Sequence, residues 1–193
     1  MSTTTDFPGC KAVDTGLWRS TDRGATWEAI VAPLEFDPPG PEGCALAAIT
    51  GFAQAPMAPQ RIYASTTDAG LLRSDDSGEN WTRIAANSLP DRLAHVVVEP
   101  SAPDHVFVAA ESHGLYRSLD GGQNWERLDG AATCPAGAEG MSALPEMLDV
   151  GAMLATGDAI YVGTDEPEDA GAGAGLYASR DGGDCWQRVD DAE

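Results

Sequence analysis

The segment Ser118-Leu119-Asp120-Gly121-Gly122-Gln123-Asn124-Trp125 decides the fold, because the chain spells it four times. The other copies are Ser20-Thr-Asp22-Arg-Gly24-Ala-Thr-Trp27, Ser74-Asp-Asp76-Ser-Gly78-Glu-Asn-Trp81 and Ser179-Arg-Asp181-Gly-Gly183-Asp-Cys-Trp186. The shared pattern is Ser-x-Asp-x-Gly-x-x-Trp, with Trp-to-Trp intervals of 54, 44 and 61 residues. Repeats of that period mark propellers, solenoids and arrays, in which each copy buries its apolar face only against a neighbouring copy.

Similarity extends to both sides of the box. An aliphatic or aromatic run precedes each copy: Gly16-Leu-Trp-Arg19, Gly70-Leu-Leu-Arg73, Gly114-Leu-Tyr-Arg117 and Gly175-Leu-Tyr-Ala178. A short alternating run follows each Trp, from Glu28, Thr82, Glu126 and Gln187. Alternation on both sides of a Gly/Asp turn is the signal of a β-hairpin. Three of the boxes have another β-rich run upstream, at 61–65, 105–109 and 159–163, and a weaker apolar run before that. The repeating unit is therefore a four-stranded antiparallel sheet, A-B-C-D, with the box at the C–D turn. No long amphipathic helix is expected.

The box chemistry reads as structural. An Asp side chain accepts from amides that a tight turn leaves unpaired. Gly admits a positive φ, Ser bonds the turn backbone from the strand end, and Trp covers the hairpin with an apolar face. The residues assigned to this role are Ser20, Asp22, Gly24, Trp27, Ser74, Asp76, Gly78, Trp81, Ser118, Asp120, Gly122, Trp125, Ser179, Asp181, Gly183 and Trp186. One box per repeat also spreads the four Asp over separate units, too far apart to share an ion.

These boxes, each behind a Gly-Leu strand, resemble the Asp-box (BNR) repeat. That repeat occurs in sialidases, xyloglucanase-type glycoside hydrolases, sortilin-type receptors and photosystem II assembly factors. The resemblance covers about residues 9–190 and implies an all-β fold, a β-propeller of four-stranded antiparallel blades. It leaves function open, since the box is common to enzymes, receptors and assembly factors.

Residues 46–84, 93–128 and 147–189 each hold a whole blade, whereas 16–30 hold only strands C and D. Residues 1–15 form an N-terminal segment with at best a partial strand B at Cys10–Val13. The total is about three and a half to four blades, where propellers typically close with about 4–8. Three arrangements follow: a piece of a longer propeller, which is preferred, closure with a partner chain, or a strained four-bladed ring. An open arc would leave strand edges unpaired.

With 193 residues the default is one domain. No apolar run approaches a transmembrane length. The segment from Met1 to Asp6 has no signal-peptide features. The expected location is cytoplasmic if Met1 is the authentic start, and extracytoplasmic if the chain belongs to a longer secreted protein.

The net charge of −20 excludes nucleic-acid binding through a basic face and contact with anionic membranes. Lys11 is the only lysine beside ten arginines, a bias that fits either salt adaptation or a GC-rich genome. Cys10, Cys44, Cys134 and Cys185 have neither CxxC spacing nor histidines at ligand spacing, so zinc is not expected. Their three possible pairings stay open. No cofactor and no metal are expected. The acidic insertion 165–174 lacks the Asp-x-Asp-x-Asp-Gly spacing of a calcium loop.

Strand direction locates the candidate surface. A–B and C–D turns share one rim, and B–C and D–A loops share the other. The boxes occupy the first rim, and the variable loops occupy the second, where scaffold-borne function usually sits. The candidate partner-facing residues there are Glu35, Asp37, Glu42, Asp68, Glu111, His113, Glu139, Asp165 and Glu166. Glu111, Asp165 and Asp68 hold corresponding B–C positions and are the weak catalytic candidates, since a glycosidase needs two carboxylates about 5–9.5 Å apart.

The resemblance to sialidases would imply an arginine triad, a Tyr nucleophile with its Glu, and Arg-Ile-Pro. Here Arg61-Ile62 is followed by Tyr63, and Arg19, Arg73 and Arg117 recur at one repeat position instead of converging. The expected function is therefore a non-catalytic scaffold for a protein, peptide or glycan ligand, with a glycoside hydrolase fragment as the alternative.

Overall fold

The computed structural model describes residues 17–30, 48–128, 134, 141–144, 149–165 and 174–189. These residues form strands and turns, with no helix among them, and no helix is long and apolar enough to cross a membrane. The strands fall into four antiparallel sheets in chain order. The first is the hairpin β1 (Leu17–Arg19) and β2 (Glu28–Ile30), with Arg19 opposite Glu28. The second contains β3 (Ile49–Gln54), β4 (Ile62–Thr66), β5 (Leu71–Ser74) and β6 (Thr82–Ile84) in sequential order. The third repeats that order with β7 (Leu93–Glu99), β8 (Ala102–Ala110), β9 (Gly114–Ser118) and β10 (Glu126–Arg127).

The fourth sheet has five strands. To β12 (Asp149–Ala155), β13 (Ile160–Asp165), β14 (Gly175–Ser179) and β15 (Trp186–Arg188) it adds β11 (Met141–Ser142) on the outside, paired with Trp186 and Gln187. β11 lies in the connection between the third and fourth blades. Two residues alternate too briefly to register as a strand in the sequence, and the unpaired edge of β15 supplies the partner that defines them. The same connection is tied down covalently: Cys134 is disulfide-bonded to Cys185 inside the fourth box, with Cα atoms 5.4 Å apart. The pairings of Cys10 and Cys44 lie outside the described residues.

The sheets are blades of an all-β propeller, and the core lies between them. Strand alternation sends one set of side chains to each flank of a blade. Between the second and third blades, Tyr63 and Leu71 pack with Val96, Val98, Val106 and Val108, and Ile84, Tyr116 and Trp125 close the edge. Between the third and fourth, Phe107, Leu115 and Leu128 pack with Val150, Ile160, Val162, Tyr177 and Trp186. Thus β8 divides its residues, with Val106 and Val108 facing back and Phe107 facing forward. Burying a side chain of this size contributes about 1.5–3 kcal/mol.

The two rims separate cleanly. On the box rim, Ser77 N–H donates to the Gln60 carbonyl in an A–B turn (2.8 Å) and Gly121 N–H to the Asp104 carbonyl near the start of β8 (2.9 Å), tying each C–D turn to its own blade. On the opposite rim, Gly70 N–H donates to Asp91 (2.8 Å) and Glu111 N–H to Arg92 (3.3 Å), tying B–C turns to a D–A loop.

Candidate binding rim and the boxes opposite it

Each box is a closed hydrogen-bond circuit. The Ser hydroxyl donates to the Asp carboxylate at 2.7–2.8 Å and accepts the N–H of the fifth-position glycine at 2.6–2.8 Å. The carboxylate then accepts the N–H four residues on: Thr26 and Asn80 at 2.8 Å, Asn124 and Cys185 at 2.9 Å. Its second oxygen takes the side chain of that same residue in three boxes, from Thr26 Oγ1, Asn80 Nδ2 and Asn124 Nδ2. In the last three boxes the Trp indole N–H donates back to the box glycine carbonyl at 3.0 Å.

The circuit demands two consecutive residues at positive φ. The fourth position runs from 62° at Arg23 to 76° at Gly182, and the fifth from 89° at Gly24 to 99° at Gly183. A left-handed φ near 60° is tolerable for Ser or Arg, but one near 90° is reached easily only by glycine. That difference explains why only the fifth position is always Gly.

Hydrogen bonding holds three box carboxylates well below the ordinary range, at about 2. For Asp22 the largest cause is the Thr26 hydroxyl; for Asp76 and Asp120 it is the backbone N–H of Asn80 and Asn124. Asp75 is also lowered: burial works against it, but hydrogen bonds from Arg73 and Arg61 prevail. Burial pushes the Tyr63 hydroxyl up.

Between blades, the box rim carries a repeated contact. The Arg before each of the first three box Ser residues reaches the fourth-position carbonyl of the next box: Arg19 to Ser77 (3.2 Å), Arg73 to Gly121 (3.0 Å) and Arg117 to Gly182. Tyr63 donates to the Gly121 carbonyl as well, at 3.1 Å. Acidic neighbours hold the guanidiniums in place: Glu28 for Arg19, Asp75 for Arg73, and Glu126 with Asp184 for Arg117. Arg61 spans Asp75 and Asp104 across the same boundary. The sequence showed that these arginines recur but not what they reach, because the acceptor is a main-chain carbonyl one blade away.

On the opposite rim, Asp68, Glu111 and His113 are all exposed. The Thr67 hydroxyl donates to Asp68 at 3.3 Å. Glu111 makes an exposed ion pair with Arg92 at 3.4 Å, and His113 Nδ1 donates to the Glu111 carbonyl at 2.7 Å. The backbone N–H of Ser112 donates to Asp149 of the next blade at 3.0 Å. Asp165 ends β13 opposite Asp149. Glu111 and His113 therefore share one turn, Asp68 sits on the neighbouring blade, and Asp165 on the blade after. Glu35, Asp37, Glu42, Glu139 and Glu166 lie outside the described residues. Among the described residues no cluster of three His, Cys, Asp or Glu is placed to hold a metal ion.

The architecture is shared with known propellers. The GH74 xyloglucanase from Xanthomonas campestris aligns over 92% of this chain and 28% of its own, at 23% identity and a TM-score of 0.61. YCF48 from Cyanidioschyzon merolae aligns over 86% of this chain and 40% of its own, at 18% identity and a TM-score of 0.54. The chain thus spans less than half the length of either, and at these identities the likeness is one of fold. No curated protein sequence matches it. Residues 15–139, well over half of the chain, match the Sortilin-Vps10 family model, described as sortilin, neurotensin receptor 3, and the chain belongs to that family.

Proposed function

We propose that the chain is a non-catalytic binding scaffold that engages a basic protein or peptide segment through its B–C and D–A loop rim. The observation that carries this reading is the continuity of that rim. Backbone hydrogen bonds from Gly70 to Asp91 and from Glu111 to Arg92, with the Ser112–Asp149 contact, link the second, third and fourth blades at their loops. Exposed acidic side chains then stand on a preorganised surface, which lowers the ordering cost of binding. The net charge of −20 favours a positively charged partner and speeds its encounter. The receptor description of the family agrees with a binding role. The Cys134–Cys185 disulfide fits an oxidising compartment, where receptor-type propellers would meet such ligands.

Glycoside hydrolysis is less well supported. It would need two of Asp68, Glu111 and Asp165 about 5–9.5 Å apart, and these three stand on three successive blades.

A displayed peptide library tests the reading. Basic peptides should be enriched, bind more weakly as salt rises, and lose affinity in the charge reversals Asp68→Lys and Glu111→Lys. Enrichment unaffected by either substitution would sink the rim assignment. Turnover of a fluorogenic sialoside or glucan, abolished by Glu111→Gln or Asp165→Asn, would replace the scaffold reading with an enzymatic one.

A further inference from the structure

The asparagines of the chain are Asn80, Asn87 and Asn124, and the first of them opens the triplet Asn80-Trp81-Thr82. Asn-x-Ser/Thr, with x other than Pro, is the acceptor pattern for N-linked glycosylation, which takes place at exposed positions. Neither Asn87-Ser88-Leu89 nor Asn124-Trp125-Glu126 fits it. Asn80 and Thr82 are both exposed, one in the second box and the other at the start of β6.

The box accounts for Asn80 but not for Thr82. Asn80 donates its backbone N–H and its Nδ2 to Asp76, at 2.8 and 2.6 Å. Asn124 does the same for Asp120, at 2.9 and 2.6 Å, without a Thr two positions on. In the first and third hairpins the residue after the box Trp is a glutamate. Glu28 stands opposite Arg19 and Glu126 opposite Arg117, and each pair forms a salt bridge. In the second hairpin Thr82 stands opposite Arg73, and that guanidinium turns to Asp75 instead. The carboxylate partner has moved from strand D into the box, and a hydroxyl takes its former place. The second box circuit closes without that hydroxyl.

We propose that Asn80 is an N-glycosylation site. The co-reactant is an oligosaccharide joined to a lipid through a diphosphate. The Asn80 amide nitrogen bonds to the anomeric carbon of the sugar, and the bond from that carbon to the diphosphate oxygen breaks. The lipid diphosphate leaves with the electron pair, and the amide gives up one proton. A primary amide carries two N–H groups. The bond to Asp76 needs one of them, so exchange of the other for a sugar leaves the circuit intact. The Cys134–Cys185 disulfide fits the oxidising setting in which exported proteins receive such sugars. The glycan stands on the box rim, away from Asp68 and Glu111, and the proposal does not depend on what the loop rim binds.

Peptide mass spectrometry of the full chain purified from its own source tests this. The peptide containing Asn80 should carry a sugar mass, and an N-glycan amidase should remove it and leave aspartate at position 80. Expression through a eukaryotic secretory pathway then separates the sequence signal from the fold. The wild type and Thr82→Ser should gain the sugar and Thr82→Ala should lose it completely. Asn80→Gln would also remove a box donor, whereas Thr82→Ala keeps both bonds to Asp76, and far-UV circular dichroism checks that it folds. A bare Asn80 peptide from the natural source, or a sugar retained by Thr82→Ala, would overturn the proposal.

Discussion

The guanidinium of Arg73, at the end of β5, donates to the carbonyl oxygen of Gly121 in the box of the next blade, 3.0 Å away. Gly121 holds φ at 72°, and that left-handed turn forms part of the boundary into which Arg73 and Tyr63 both reach. The box is therefore both a hairpin fastener and the acceptor for its neighbour. Stability within a blade and cohesion between blades depend on the same eight residues.

Removing the crossing arginine should loosen the boundary in proportion to its burial. Arg117 is largely buried between Glu126 and Asp184, while Arg19 is more open. Arg117→Met should cost about 1–3 kcal/mol, since a charged hydrogen bond is lost and a carbonyl is left unpaired. Arg19→Met should cost less than about 1 kcal/mol. Urea unfolding of both variants measures the difference, and equal losses would refute the ordering.

The fifth-position glycines should resist any side chain. At Gly122 a Cβ would lie 2.6 Å from Ile84 Cδ1 on a backbone with φ at 94°. Gly122→Ala combines left-handed strain of about 1–2 kcal/mol with overpacking of about 1–3 kcal/mol. Adding Ile84→Val should relieve the clash but not the strain. Gly157→Ala, with nothing within 4 Å, serves as the neutral control. Thermal melts of the three variants rank them.

Acid should unfold the protein through its boxes. Asp22, Asp76 and Asp120 titrate at about 2 when folded, against 3.8 for an ordinary aspartate. A lowered folded-state value means the unfolded chain binds more protons in that window. The contribution is complete above about pH 4 and is lost as pH falls towards 2. Melting temperature followed from pH 5 to pH 2 should decline more shallowly in Asp76→Asn/Asp120→Asn than in the wild type.

The disulfide between Cys134 and Cys185 closes a 51-residue span. Chain-entropy reasoning assigns such a loop about 2–4 kcal/mol. Cys134→Ser should lower stability by that amount and reduce the response of the melting temperature to reductant. It should also expose the edge of β15, so hydrogen exchange at Trp186 and Gln187, which pair with β11, should accelerate.

Most of the architecture could be read along the chain because the box is local. Ser118 to Asp120 to Asn124 is a circuit closed within seven residues, so its pattern survives in one dimension. The strands beside it follow from alternation, and the two rims from strand direction. The candidate rim was less legible. Asp68, Glu111 and His113 could be assigned to B–C turns, but their cross-blade partners depend on how the turns stack. Met141–Ser142 is a strand only because β15 lies beside it.

By itself, then, the sequence determined an all-β chain of repeated hairpins with a box rim and a loop rim, since each hairpin closes over short range. The tertiary structure alone decided that Arg73 meets Gly121 and that Cys134 pairs with Cys185. Those contacts join residues about fifty positions apart, and only the lateral packing of one blade on the next brings them together.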